Sequence, residues 1–340
     1  MTPVKKAIRE GGWVIIFSSI IFVALTTWAL APAVLKMTTR PPGDGTTLAS
    51  YEFDLSNLRL PERASLETAM LHRDMVPVLD APPSLMTAAE VLAIVDTRDR
   101  YLVSDDAVIG VEINGQSRAY PLSTLHVHEI IHDELGGIPI AVTWHWPSSS
   151  PRVFDRRIGE KTEMFGISGL VAGGNQTLYV RRDDGEIGGE ALISQLLGRT
   201  ITGEPLTLST LPYRFTDWTT WQAAHADTTV AGRIPSMKKR YKHGDPSSYY
   251  RSTPLLFDTP VPDGGPAAKE PMVLLTTSTN QVMLLNSHLT EQEQVDIGPL
   301  GLSAAAMPPR LEIAAPPPGH DVRHSLFHAL HALELDTENQ

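Results

Sequence analysis

The hydrophobic positions form one long unbroken run near the start of the chain and short alternating segments after it. From Gly11 to Leu35 no residue is charged, and 13–35 is almost wholly apolar. As a helix that stretch measures roughly 35 Å, enough to cross a bilayer core of about 30 Å. Lys5, Lys6, Arg9 and Glu10 precede it, and Lys36 and Arg40 follow. The pattern predicts a cytoplasmic 1–10, a transmembrane helix at 11–35 with Trp13 and Trp28 near the interfaces, and a large exported part. A cleaved signal peptide is the competing reading, because the basic start and Ala29-Leu30-Ala31 fit one. The length of the run and Pro32 directly after the candidate site favour retention. The expected location is the bacterial inner membrane, single-pass, with the large domain in the periplasm.

Beyond the run, residues 36–84 read as an extended arm with a short helix at 65–71. Thr87 and Glu90 have capping-box spacing and predict a helix over 88–95. The runs VIGVEI and QSRAYPL flank Asn114-Gly115, a pair that tolerates positive φ and predicts a hairpin. Ser123 or Thr124 is read as the cap of a short helix carrying His126, His128 and His132. Strands are expected at 138–144, 152–157, 162–167 and 176–182. A helix is expected at 189–197, and another from Trp218 to about Ala226, capped by Thr216 or Asp217. Residues 272–285 read as strand, turn, strand; 300–319 as a Pro/Ala-rich loop or arm; 321–335 as a final helix. The main domain is placed at 85–266 and a C-terminal part at 267–340. Two echoes run in the same order: 108–125 against 272–289, and Trp218-x-x-Trp221 with Asp227-Thr228 against Phe327-x-x-Leu330 with Asp336-Thr337. The expected fold class is α+β, a β-rich globular extracytoplasmic domain behind one transmembrane helix, with internal duplication left open.

Charge narrows the function classes. Residues 41–340 carry 23 basic and 38 acidic side chains, a net of −15, which repels nucleic acid. The chain has no cysteine, so thiolate chemistry, disulfides and cysteine metal sites are excluded. The candidate chemistry lies in the histidines. His126, His128, His132 and His145, with Glu129 and Asp133 nearby, form a candidate metal site. The spacing is not H-E-x-x-H, because three residues separate His128 from His132. A helix terminus whose imidazoles meet carbonyls and carboxylates is the plainer reading. His324, His328 and His331 read as a polar stripe on the last helix. Ser168 lacks the G-x-S-x-G setting of a hydrolase nucleophile. Trp144 and Trp146 read as core or interface anchors.

Several motifs in register carry a family resemblance. Arg118-Ala119-Tyr120-Pro121-Leu122, His128-Glu129-Ile130, Phe154-Asp155-Arg156, Phe165-Gly166-Ile167-Ser168-Gly169, Tyr179-x-Arg181, Ser194-Gln195 and Trp218-x-x-Trp221 resemble DUF3179, a bacterial exported domain of unknown function. The resemblance implies no reaction. Where relatives commonly carry Thr-Tyr-Cys-Pro-Leu-Cys, this chain has Thr143-Trp144-His145-Trp146-Pro147-Ser148, so it resembles a divergent member without the Cys-x-x-Cys. His132 stands where Asn is usual, and Ile193 where Trp is.

The expected role is a non-catalytic accessory subunit of a larger integral membrane complex, respiratory or photosynthetic, docked on its periplasmic side. Its expected partners are other integral membrane proteins and membrane lipid, with Trp13, Trp28, Trp144 and Trp146 as interface residues. No cofactor is expected, with a bound metal ion open through the histidines. The alternatives are a metal- or redox-active periplasmic enzyme and a periplasmic ligand-binding or assembly factor.

Overall fold

The structure, a computed structural model, describes residues 13–38, 41–95, 102–182, 184, 187–276, 281–285, 294–297, 302–307, 310–313 and 321–333. The chain divides into two units, Met1–Pro42 and Gly43–Gln340.

In the first unit helix α1 spans Trp13–Thr38. Its hydroxyls fold back on their own backbone: Ser18 Oγ donates to Val14 O at 2.7 Å and Thr26 Oγ1 to Phe22 O at 2.8 Å. Such bonds satisfy polar groups within an apolar helix. Trp13, Phe22 and Trp28 are exposed, Trp28 by 78%. Among the described residues no helix is long and apolar enough to cross a membrane. The fold class is corrected accordingly, to a mixed α+β arrangement of several sheets without the expected transmembrane helix at 11–35. The single-pass inner-membrane topology, and the integral membrane and lipid partners inferred from it, are corrected on the same finding. The expected cytoplasmic segment 1–10 lies outside the described residues.

In the second unit the elements run, in chain order, β1 Leu66–Thr68, β2 Leu85–Thr87, α2 Ala88–Val95, β3 Ala107–Ile113, β4 Gln116–Pro121, α3 Leu122–His128, β5 Ile130–Leu135, β6 Ile138–His145 and β7 Ser150–Asp155. They continue with β8 Arg157–Ile158, β9 Lys161–Thr162, β10 Met164–Ala172, β11 Asn175–Arg181, β12 Ile193–Ser194, β13 Arg199–Thr200, β14 Arg214–Asp217, α4 Trp218–Ala224 and β15 Thr229–Ala231. Then come α5 Lys238–His243, α6 Ser247–Arg251, β16 Pro271–Thr276, β17 Gln281–Leu285, β18 Gln294–Ile297, β19 Leu302–Met307, β20 Arg310–Ile313, β21 Asp321–Leu326 and α7 Phe327–Leu333.

Period-2 alternation stacks these elements in layers. One sheet has the order β14-β3-β4-β15-β2, a second β5-β6-β7, and a third β1-β10-β11-β12-β13. Val108 and Ala119 face Val91, Trp218 and Trp221 of the helices on the outer side. Their neighbours Ile109, Val111 and Tyr120 face inward, onto Ile131, Val142 and Trp144 of the second sheet. Ile130, Ala141 and Phe154, on the other face of that sheet, meet Phe165, Ile167 and Leu178 of the third.

The segments that echo one another in sequence share one topology. In the first hairpin Val108 pairs with Pro121 and Glu112 with Ser117; in the second, Met272 pairs with Leu285 and Thr276 with Gln281. Each pair in the second lies 164 positions beyond its counterpart in the first. A three-stranded antiparallel sheet follows each hairpin, β5-β6-β7 and β18-β19-β20. A later strand then pairs antiparallel with the first hairpin strand, Arg214 opposite Gly110 and Arg323 opposite Leu274, and runs into a short helix. Strand β21 packs against β7, and β14 against β20. Phe215 and His324, each the residue directly after its strand's arginine, meet edge to face with centroids 5.6 Å apart. The Asp336-Thr337 part of the echo lies outside the described residues.

Some local expectations give way to tertiary context. The helix read at 65–71 is strand β1, paired with β10, and 189–197 holds only the short strand β12. Part of 300–319 forms strands β19 and β20, and 321–326 is strand before α7 begins.

Candidate functional site

Helix α3 ends where Glu129 takes φ 55°, so His132 lies on strand β5 and not on the helix with His126 and His128. The four predicted ligands are consequently separated by their own bonding. Pro77 O can only accept, so His128 Nδ1 donates to it at 2.5 Å and Nε2 accepts from Tyr241 Oη at 2.8 Å. His132 Nε2 accepts from Phe165 N at 2.9 Å, which leaves Nδ1 3.7 Å from Asp80. His145 Nδ1 bonds Ser148 Oγ at 2.7 Å, and the His126 ring packs on Trp144 with centroids 5.9 Å apart. Among the described residues no group of three or more His, Cys, Asp or Glu is placed to hold a metal ion. The metal- or redox-active enzyme expected as an alternative is corrected on that finding. Burial lowers His132 and His145 to about 3 and His126 and His328 to about 4, so all four imidazoles are neutral near pH 7.

His145 and Ser148 belong to a closed polar knot. Ser148 Oγ also meets Ser150 Oγ at 2.8 Å and accepts from Asn175 Nδ2 at 3.0 Å. Gln195 Oε1 accepts from Ser150 Oγ and Asn175 Nδ2, both at 3.0 Å, while its Nε2 donates to Thr143 Oγ1 at 3.0 Å. Every member is essentially sealed from solvent. With no route for substrate, the knot serves to fix β6, β7 and β11 against the 193–197 segment. Ser168 is likewise buried and spent on Thr177 and Leu170. Trp144 is core, packed against Phe215 at 5.6 Å, and Trp146 stands edge-on to Tyr249 at 5.3 Å.

An open pocket of about 400 Å³ lies beside His126. Its wall is drawn from distant parts of the chain: Asp105 and Asp106 ahead of β3, Ser123 and His126 on α3, Trp144 on β6, Phe215 on β14, and Tyr241, Asp245 and Tyr250 around α5 and α6. Asp217 caps α4 by accepting from Thr220 N at 2.8 Å, and β14 leading into it sets Phe215 in the wall. Burial, then the adjacent Asp105, raises the Asp106 carboxyl above its ordinary value, while a bond from Val103 N opposes the shift. Asp245 accepts from Ser247 N and Oγ, both at 2.9 Å. The phenols are committed elsewhere: Tyr250 Oη donates to Trp146 O at 2.7 Å, and Tyr241 Oη accepts from Ile234 N at 3.0 Å. Trp144 Nε1 is buried without a hydrogen-bond partner. The two aspartates before the hairpin are visible in the sequence, but Asp245 and Tyr250 lie more than a hundred residues on. Only the fold joins them.

Layered, mostly antiparallel sheets carry an acidic, aromatic-lined pocket in an α+β domain. The chain belongs to the DUF3179 family, described as a protein of unknown function, whose profile matches residues 73–306. It is a divergent member with no cysteine. No curated protein and no solved structure matches it.

Proposed function

We propose that residues 43–340 form a small-molecule-binding domain and that the pocket beside His126 is its site. The observation that carries this reading is an open cavity of about 400 Å³ whose wall combines aromatic rings with ionisable and hydroxyl groups. Ligand pockets occupy about 300–1,000 Å³ and have this mixed lining. The accessory-subunit role expected from the sequence is not retained, since it depended on the membrane helix. The binding reading depends only on the second unit.

Ala107, at the mouth of β3, lines the same pocket. The variant Ala107→Phe fills it without removing any polar contact. A screen of small polar fragments by ligand-observed NMR is expected to return binders to the wild-type chain that are lost in Ala107→Phe, with thermal stability held within a few degrees. Binders retained in full by Ala107→Phe place the site elsewhere and contradict the proposal.

A further inference from the structure

From the lining of this pocket we infer that its ligand is a small organic ammonium ion, an inference that rests on the pocket being a binding site. Asp105, Asp106 and Asp245 contribute three carboxyl groups to the wall, and no lysine or arginine lines it. The one imidazole of the wall, His126, is uncharged near pH 7. Arg233 stands at the rim, where Nη2 donates to Ser123 Oγ at 2.6 Å, its carbon lies 5.3 Å from the Tyr241 ring centroid, and its charge acts on Asp106. The wall therefore carries an excess of negative charge that a bound cation would balance.

A metal ion fits this wall poorly, since among the described residues no three His, Cys, Asp or Glu converge as ligands. The aromatic share of the lining points to an organic cation instead. Tyr250 is the more open ring of the lining, Trp144, Phe215 and Tyr241 stand nearly buried behind it, and both phenol oxygens are already bonded to the protein. Rings with negative faces beside carboxylates hold alkylammonium groups through cation–π attraction and charge together. This chain uses the same chemistry next door, where Lys269 Nζ sits 3.4 Å from the ring centroid of Tyr249, itself 5.7 Å from Tyr250. A neutral sugar would use the hydroxyl-bonding groups but leave the carboxylate charge uncompensated.

Choline and 3,3-dimethylbutan-1-ol test the inference directly, because they share shape and differ only in a quaternary nitrogen against a carbon. Ethanolamine extends the series to a primary amine. Calorimetric titration of the full chain at pH 7 is expected to give choline or ethanolamine at least tenfold tighter binding than the neutral alcohol. Asp245→Asn keeps the acceptor for the turn at Ser247 and is expected to weaken the ammonium probe at least fivefold while leaving the alcohol unchanged. Asp105→Asn, on an exposed side chain, provides a second variant with the same expectation. Equal affinity for choline and the alcohol overturns the inference, as does a pocket that takes neutral or anionic fragments but neither amine. Those two results leave the pocket itself standing as a site. If no fragment of any charge occupies it, the underlying proposal fails as well.

Discussion

Glu129 is the residue at which fold and titration are most tightly joined. It ends α3 in the left-handed region, its carbonyl accepts from Trp144 N at 2.8 Å, and its carboxyl is carried into the interior, where Oε2 has no hydrogen-bond partner. Burial raises that carboxyl to about 8 from an ordinary 4.5. Between those values the folded chain holds a proton that the unfolded chain has released, so this group costs stability as pH rises from about 4.5 to about 8. The buried histidines act in the opposite sense. Lowered to about 3 or 4 from 6.5, they cost stability as pH falls below 6.5, where the unfolded chain takes up protons first. Glu129→Gln removes the first effect alone. Thermal melts are expected to show the variant more stable than wild type at pH 8, with the difference closing near pH 5. Parallel melting curves across that range would show that the carboxyl does not titrate as argued. The histidines also mark the limit of local reading. His128 and His132 share a face only if the helix continues, and the left-handed Glu129 followed by the β-branched pair Ile130-Ile131 turns the chain into strand instead.

At the scale of elements, the first hairpin was the most legible part of the chain. Asn114 and Gly115 take φ 51° and 76°, and the alternation on either side sends successive residues to opposite layers. Thr87 and Glu90 bond reciprocally at the start of α2, as the capping-box spacing requires. Local signals of this kind need no distant partner. The strand at 66–68 does need one: its pairing with β10 outweighs a weak helical preference, and nothing in its own sequence announces that partner. Gly110 looks like a mere break in the apolar run, yet a Cβ there would stand 2.2 Å from Trp221 Cε3. The glycine lets α4 lie directly on β3. Gly110→Ala is expected to destabilise the domain by about 3 kcal/mol through overpacking, read as a lowered denaturation midpoint. A midpoint unchanged from wild type would mean that the helix has room the packing does not show.

Across the second unit, the layers bring Asp105 and Asp106, His126, Phe215 and Asp245 to one pocket, and no sequence spacing could have disclosed that grouping. The topology explains how: β14 returns to pair with β3 after about a hundred residues, and α5 packs on α3. The matching hairpin registers at 108–121 and 272–285 were detectable in the sequence because alternation is preserved wherever a strand keeps one buried face. The host-complex reading, built on the apolar run together with the proline-rich extensions and the tryptophans near loops, failed at this scale, because no described helix is long and apolar enough to cross a membrane. The binding reading has the pocket as its whole support, and Trp144 offers the probe. Two-dimensional 15N–1H spectra resolve indole N–H groups, and Trp144→Phe identifies the signal of this one. On addition of small polar fragments, the account predicts that binders shift the Trp144 indole signal saturably, ahead of those of Trp13 and Trp28. Saturable binding that leaves the Trp144 signal in place, or no binding by any fragment, would contradict it.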